Sequence, residues 1–302
     1  MARLYYSFNN FLKEKFGERV HKLSLDGGFS CPNLDGTFSH AGCFFCNNRA
    51  FSRFTRQNIP LYQQIKLSME YARRRFKANK FIAYFQAFTS TYADVSVLKE
   101  RYQIIKEFPE IVGLAVSTRP DCIDDKKLGL LEEFTDRYMV WLEYGLQSAN
   151  NRSLQAMNRN HTYEDFLKAV EDAENRNIYL AAHIILGLPF ETKEDMLDTA
   201  RKISHLPLSG IKFHCLHIVE GSVWADAFKK KKMRLLNQSE YIDIVVSFLE
   251  LVPSYWVVLR LISDASPQYL MAPTWINNKQ EVLRSIEHEL RRRNSWQGKL
   301  WS

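Results

Sequence analysis

At 302 residues, 46% hydrophobic and 25% charged, the chain carries enough apolar material for one large core or two smaller ones, and too much for a disordered protein. The net charge of +7 suits a polyanionic partner without requiring one, because a solvated basic face gives the same count. Five cysteines, an odd number in a chain too long to need disulfide staples, point to thiols used as ligands in a reducing compartment.

The N-terminal segment, 1–20, mixes charge among its apolar residues and has no apolar run of signal-peptide type. The first β-rich run is HKLSLDG (21–27), and a cysteine loop, CPNLDGTFSHAGCFFC (31–46), follows it. Helical spacing then fills 61–77 and 95–108, with a strand run FIAYFQAF (81–88) between them. Two further strand runs, IVGLAVST (111–118) and YMVWLEYGL (138–146), precede a helix at 162–176. The strand IYLAAHIILG (178–187), a helix at 193–204 and the strand GIKFHCLHIV (210–219) complete the alternation. Thr162 with Asp165, and Thr192 with Asp195, are spaced as helix-starting pairs. Past 220 the pattern changes: helices at about 239–251 and 279–293, the latter with Val282, Leu283, Ile286 and Leu290 on one face, form a C-terminal extension. The longest apolar stretch, 242–262, is interrupted by Asp243, Glu250, Pro253 and Arg260, so no membrane span is expected and the protein reads as cytoplasmic. Six strands alternating with helices make an α/β protein with a parallel sheet, either an incomplete barrel or an open doubly wound sheet. The expected organisation is an N-terminal segment (1–20), a core (21–219) and an extension packed on it (220–302).

In parallel βα architectures the loops after the strands' C-terminal ends share one face and build the active site, which puts the cysteine loop at the mouth. Gly36 and Gly42 let that loop turn back, and the C-x2-C pair brings Cys43 and Cys46 to one centre with Cys31. Three thiolates can hold a [4Fe–4S] cluster by three corners and leave one iron open. A closed Cys3His zinc site using His40 is the competing reading.

The aromatic before the last cysteine (Phe45, Cys46), together with YFQAFTSTYA, STRPDC, WLEYGLQSANNRSLQAMNRNHT, HIILGLPFET and IKFHCLHIVEG, resembles the radical S-adenosylmethionine (SAM) superfamily. Within it the chain is similar to the YhcC/YtqA-like group, whose nearer relatives include the elongator catalytic subunit that modifies wobble uridine and the oxygen-independent coproporphyrinogen oxidase. The similarity runs from about Tyr6 to Gly298, and the first cysteine gap is longer than the superfamily's commonest spacing. This resemblance implies a partial (β/α)6 TIM-like barrel with a C-terminal extension. It also implies a [4Fe–4S] cluster on Cys31, Cys43 and Cys46, and reductive cleavage of SAM to a 5′-deoxyadenosyl radical. An external one-electron donor of flavodoxin or ferredoxin type would supply the electron. By the same matching, Phe45 packs beside the adenine, and Gln86 and Thr89 lie in the segment that meets the SAM amino group. Ser117 and Glu143 lie near the ribose hydroxyls, Gln147 and Arg159 hold the cofactor with Arg159 forked onto its carboxylate, and His183 and Ile185 sit beside ribose and adenine. The oxidase has an acidic residue where this chain has His183.

For substrate, the resemblance and two basic stretches, KKKKMR (229–234) and RRRNSWQGK (291–299), favour a transfer RNA whose wobble uridine carries a 5-substituent. An anionic small molecule or porphyrin-type substrate is the alternative, and a zinc- or cluster-containing binding module the non-enzymatic one. Cys122 and Cys215 read as small buried side chains, Cys215 inside a strand. His214 and His217 are oddly spaced, so at most one of them is expected to face the barrel interior. Arg119, Arg260 and Lys279 sit near strand or loop ends, where a role against substrate and a solvated surface role are equally open.

Overall fold

Strand runs whose alternate residues are both apolar must be covered on two sides, and that is how the sheet is built. The computed structural model describes residues 3–52, 54–55 and 57–302. Strands β1 (Val20–Leu25), β2 (Lys80–Phe85), β3 (Ile111–Thr118), β4 (Met139–Gln147), β5 (Tyr179–Leu186) and β6 (Gly210–Cys215) pair in chain order, every pair parallel. Beyond β6, the two-residue β7 (Ile218–Val219) leaves the sheet, β8 (Val257–Arg260) returns beside β6, and β9 (Leu270–Ala272) pairs antiparallel with β7. The sheet therefore has seven strands where six were expected. The seventh, VVLR, is only four residues long and lies in an apolar stretch dominated by helical periodicity.

The helices in order are α1 (Phe8–Phe16), α2 (Asn48–Phe51), α3 (Leu61–Phe76), α4 (Val95–Gln103), α5 (Asp125–Glu132), α6 (Asn151–Ala156), α7 (Tyr163–Asp172), α8 (Lys193–Ile203), α9 (Val223–Lys229), α10 (Gln238–Leu251) and α11 (Lys279–Arg292). Thr162 and Thr192 start α7 and α8 as complete capping boxes, each threonine bonded to the aspartate three residues on and the aspartate bonded back.

Side-chain alternation sorts the strands onto two faces. Leu23, Phe85, Leu114, Leu142, Ile184 and Phe213 join the core under the helices. Val20, Ile82, Tyr84, Ala115, Trp141, Ala181 and Val257 face the concave interior, where α1 meets them with Phe8, Phe11 and Leu12. The Phe8 and Phe11 rings each lie 5.7 Å from Trp141, edge-on to it. Ser7 bridges to Val258, so the N-terminal segment, for which the sequence predicts no secondary structure, stoppers the barrel at the strands' N-terminal ends. Among the described residues, no helix is long and apolar enough to cross a membrane.

Candidate functional site

The loop after β1 opens on the opposite end of the barrel from α1. Gly36 and Gly42 take φ of 98° and 70°, the left-handed turns the loop needs to double back. The fold brings Cys31, Cys43 and Cys46 to one cavity of about 730 Å³, and none of them is in a disulfide. Burial pushes the Cys46 thiol well up, and the neighbouring Cys43 and Cys31 push it further. N–H donors are nevertheless aimed at these sulfurs: Asn33 Nδ2 lies 3.3 Å and Arg159 Nη1 3.4 Å from Cys43 Sγ, and Asn48 Nδ2 lies 3.7 Å from Cys46 Sγ. Neutral thiols give such donors little, whereas thiolates on a metal centre are stabilised by them, so this donor set fits an iron–sulfur cluster. His40 lies over Gly36, outside the cavity lining, and so is not gathered with the cysteines.

The motif MNRNHT clamps this loop. Asn158 donates to Gly42 O at 2.8 Å and Ser39 Oγ at 3.1 Å, and Asn160 donates to Asn33 Oδ1 at 3.1 Å. Both asparagines hold positive φ, which their short polar side chains tolerate. Arg159, between them, is buried, with Nη2 donating to Gly145 O at 2.7 Å and Nε to His161 Nε2 at 2.9 Å. Burial, followed by the charges of Arg159 and Arg119, holds His161 neutral with a pKa lowered to about 2, so its Nδ1–H donates to Thr162 O. A Cβ on Gly145 would stand 2.7 Å from Arg159 Nη2 and 2.8 Å from Gln147 Nε2, so only glycine lets both side chains converge. A register shift between Tyr144 and Gln147 turns Gln147, at φ 75°, toward the mouth.

Phe45, Gln86, Thr89, Ser117, Gln147, Arg159, His183 and Ile185 all line the same cavity as the cysteines. Phe45 packs near Trp224 of α9, with ring centroids 6.4 Å apart. Glu143 differs from the rest. It is fully buried and absent from the cavity lining, and its carboxylate is taken up by Lys22, by Lys212 at 2.9 Å and by His183 Nε2 at 2.8 Å. Burial works to raise its pKa, but Lys212 and Lys22 outweigh it and hold the carboxyl well below its usual range. The resemblance places Glu143 beside ribose hydroxyls, whereas here it is the centre of an ion network beneath the cavity wall.

Lys22, Tyr84 and Lys212, which sequence reasoning missed, belong to that network; Lys212 Nζ also donates to Tyr84 Oη at 2.7 Å. The signal was present as a lysine at an inward-facing position in each of two apolar strands. His214 and His217 both line the cavity, contrary to the expectation from their odd spacing, because β6 ends at Cys215 and alternation stops with it. Cys215 and Cys122 are buried, the first in the main core. Burial, then Asp121, pushes the Cys122 thiol up to about 12. Arg119 lines the cavity with its guanidinium forked onto Asp121, at 2.8 and 2.6 Å. Lys279 is paired with Asp264.

The two basic stretches part company. Arg291, Arg292 and Arg293 are engaged by Glu287, Glu289 and Asp243. They lie twelve or more residues along α11 from Lys279, whose partner Asp264 is at the cavity, and so about 18 Å down the helix. They do not form one positive rim with Lys229–Lys232. That lysine run lies at the end of α9, whose Trp224 N–H donates to Phe44 O of the cysteine loop at 3.0 Å, and Lys230, Lys231 and Lys232 in it are exposed.

Comparison with known proteins agrees with this geometry. The Radical SAM superfamily model matches residues 36–203, and the Radical_SAM C-terminal domain model residues 208–292. YtqA of Bacillus subtilis is 38% identical over 98% of this chain and 92% of its own length. A tRNA uridine(34) acetyltransferase of Methanocaldococcus jannaschii is 26% identical over 54% of this chain and 30% of its own. The solved structure of Elp3 from Methanocaldococcus infernus superposes with a TM-score of 0.65 at 15% identity, covering 89% of this chain and 63% of that one, which is likeness of fold. With the family model spanning more than half of the sequence and a relative matched along nearly its full length, the chain belongs to the radical SAM superfamily, whose members use a [4Fe–4S] cluster and S-adenosylmethionine.

Proposed function

We propose that this protein is a radical SAM enzyme that modifies a transfer RNA base, acting on the 5-substituent of a wobble uridine. The observation that carries the enzymatic part is the convergence of three free thiols, with Asn33 and Arg159 donating toward Cys43, on one cavity at the strands' C-terminal ends. In this reading Cys31, Cys43 and Cys46 hold the cluster. When bound, the cluster and SAM supply a 5′-deoxyadenosyl radical able to take hydrogen from an unactivated carbon, and an external reductant provides the electron. The chain's own residues do the rest: Arg159 neutralises the methionyl carboxylate, Gln147 and Ser117 offer hydrogen bonds, and Phe45 and Ile185 cover the adenine.

The RNA part is supported by the Lys229–Lys232 stretch on a helix anchored to the cysteine loop, and by the relative named for tRNA uridine 34. A second reading, an anionic small-molecule substrate, is favoured by the neutralised state of Arg291–Arg293. Mass spectrometry of modified nucleosides from cells with and without the gene separates the two. An altered wobble uridine supports the first, and an unchanged nucleoside profile with the gene deleted sinks it.

A further inference from the structure

The deep end of the cavity carries more positive charge than its own partners neutralise. Lys22, Lys212 and Arg260 all line it, and a single buried carboxylate, Glu143, serves both lysines. Asp264 lies at the cavity too, but is paired with Lys279. Arg260 Nη2 donates to His214 Nδ1 at 2.7 Å, and burial, then the Arg260 charge, keeps that ring neutral, so the interaction brings no negative charge. Arg260 Nε is buried and has no hydrogen-bond partner among the described residues. A buried guanidinium N–H left unpaired is costly, and its natural complement is a carboxylate or phosphate edge. Lys212 feels the same excess: burial, with repulsion from Arg260 and Lys22 and only partial relief from Glu143, lowers its pKa to about 7.

The position is as informative as the charge. Lys22 stands three residues before the end of β1, and Lys212 three before the end of β6. At roughly 3.3 Å per residue that is about 10 Å below the strand ends and the loops that follow them, at the depth of His183, which is in register with Lys212. Trp141 and the aromatic residues of α1 close the barrel below it.

We propose that Arg260, Lys212 and Lys22 form a binding site for an oxyanion carried by the substrate, a carboxylate or a phosphate, and that holding this group fixes which substrate carbon faces the cofactor. The inference rests on the radical SAM reading for the identity of the occupant as substrate, while the anion site itself is measurable without turnover. It narrows both substrate readings alike, requiring a charged substituent that reaches the barrel floor.

The test is calorimetric titration of the anaerobically prepared holoprotein, saturated with SAM so that the methionyl site is filled, at pH 6.5. The probes are acetate and inorganic phosphate, with acetamide as the neutral control. One of the two anions is expected to bind at least tenfold more tightly than acetamide, and Arg260→Gln to weaken it by about tenfold or more, as loss of a charge-assisted hydrogen bond does. Arg260→Lys should recover part of the loss, and Lys212→Met should reproduce it. Preference for acetate assigns a carboxylate, and preference for phosphate a phosphoryl group. Arg260→Gln decides the matter alone if Lys212→Met, which strips Glu143 of a partner, does not fold. Binding of both anions no tighter than acetamide, or parent-like binding by folded Arg260→Gln protein, overturns the site. Anion binding with an unchanged nucleoside profile leaves the site standing and removes the RNA reading; a changed profile without anion binding does the reverse.

Discussion

Arg159 Nη1 lies 3.4 Å from Cys43 Sγ, across 116 positions of sequence. With Nε on His161 and Nη2 on Gly145 O, three of the five guanidinium donors are engaged within the chain, leaving two for the carboxylate that Arg159 is proposed to hold. The arginine thereby ties the cysteine loop to β4. A lysine cannot reproduce this, so Arg159→Lys should weaken SAM binding by about tenfold or more, measured by equilibrium binding to the anaerobic protein. The cluster's reduction potential should fall as well, because an N–H donor to a sulfur of the proposed ligand set has gone. Parent-like affinity and potential would count against the fork.

Replacing Cys31, Cys43 or Cys46 with alanine should remove the iron and sulfide of the purified protein, about four of each per chain in the parent. Cys122→Ala and Cys215→Ala should keep them, since neither buried thiol belongs to the proposed ligand set. Zinc at one equivalent without sulfide in the parent would instead revive the closed-site reading.

Among the described residues, Glu143 is the carboxylate that meets Lys22, Lys212 and His183 at once. Glu143→Gln leaves the buried Lys212 and the half-buried Lys22 without that counter-charge and should cost about 3 kcal/mol of stability in denaturant unfolding. A change under about 1 kcal/mol would mean that water or an anion already serves those lysines.

Acid should destabilise the protein through His183, whose pKa burial, and then Lys212, lowers to about 3 from an ordinary 6.5. Between those values the unfolded chain binds a proton that the folded chain does not, so stability rises with pH across the window and is lost as pH falls below about 6.5. His183→Gln, which can still donate to Glu143, should reduce the slope of unfolding free energy between about pH 5 and 6.5 by up to about 1.4 kcal/mol per pH unit. An unaltered slope would assign the acid sensitivity to the other buried histidines.

If Lys229–Lys232 hold RNA phosphates, replacing them with glutamine should weaken tRNA binding and make log affinity against log salt shallower, by just under about one unit for each phosphate no longer neutralised. The same change at Arg291–Arg293 should leave the salt slope nearly as it was, because those guanidiniums are occupied by Glu287, Glu289 and Asp243. Equal effects from both groups would contradict the structural division between them.

The cysteine loop, the parallel strands and the two threonine caps were legible because each is a short-range signal: a spacing, a period, a hydroxyl three residues from a carboxylate. Lys22 and Lys212 were not, since a lysine in an apolar strand acquires meaning only when Glu143 arrives from a third strand. The function of Asn158 and Asn160 was hidden for the same reason, their partners Asn33, Ser39 and Gly42 lying between 116 and 127 positions away in sequence. β8 escaped because four residues are too few for a period to declare itself. The histidines of the sixth strand misled because alternation was extended two residues beyond where the strand stops.

The aromatic stopper that α1 places against Trp141 makes the barrel a blind well that opens at the cysteine loop. A substrate too bulky to pass the molecule at the rim must queue. It reaches the Arg260 floor before that molecule, or together with it, and it leaves last. Such a queue imposes an order of addition on an enzyme without any moving lid, and it shields the innermost carbon from solvent for as long as the outer molecule stays in place.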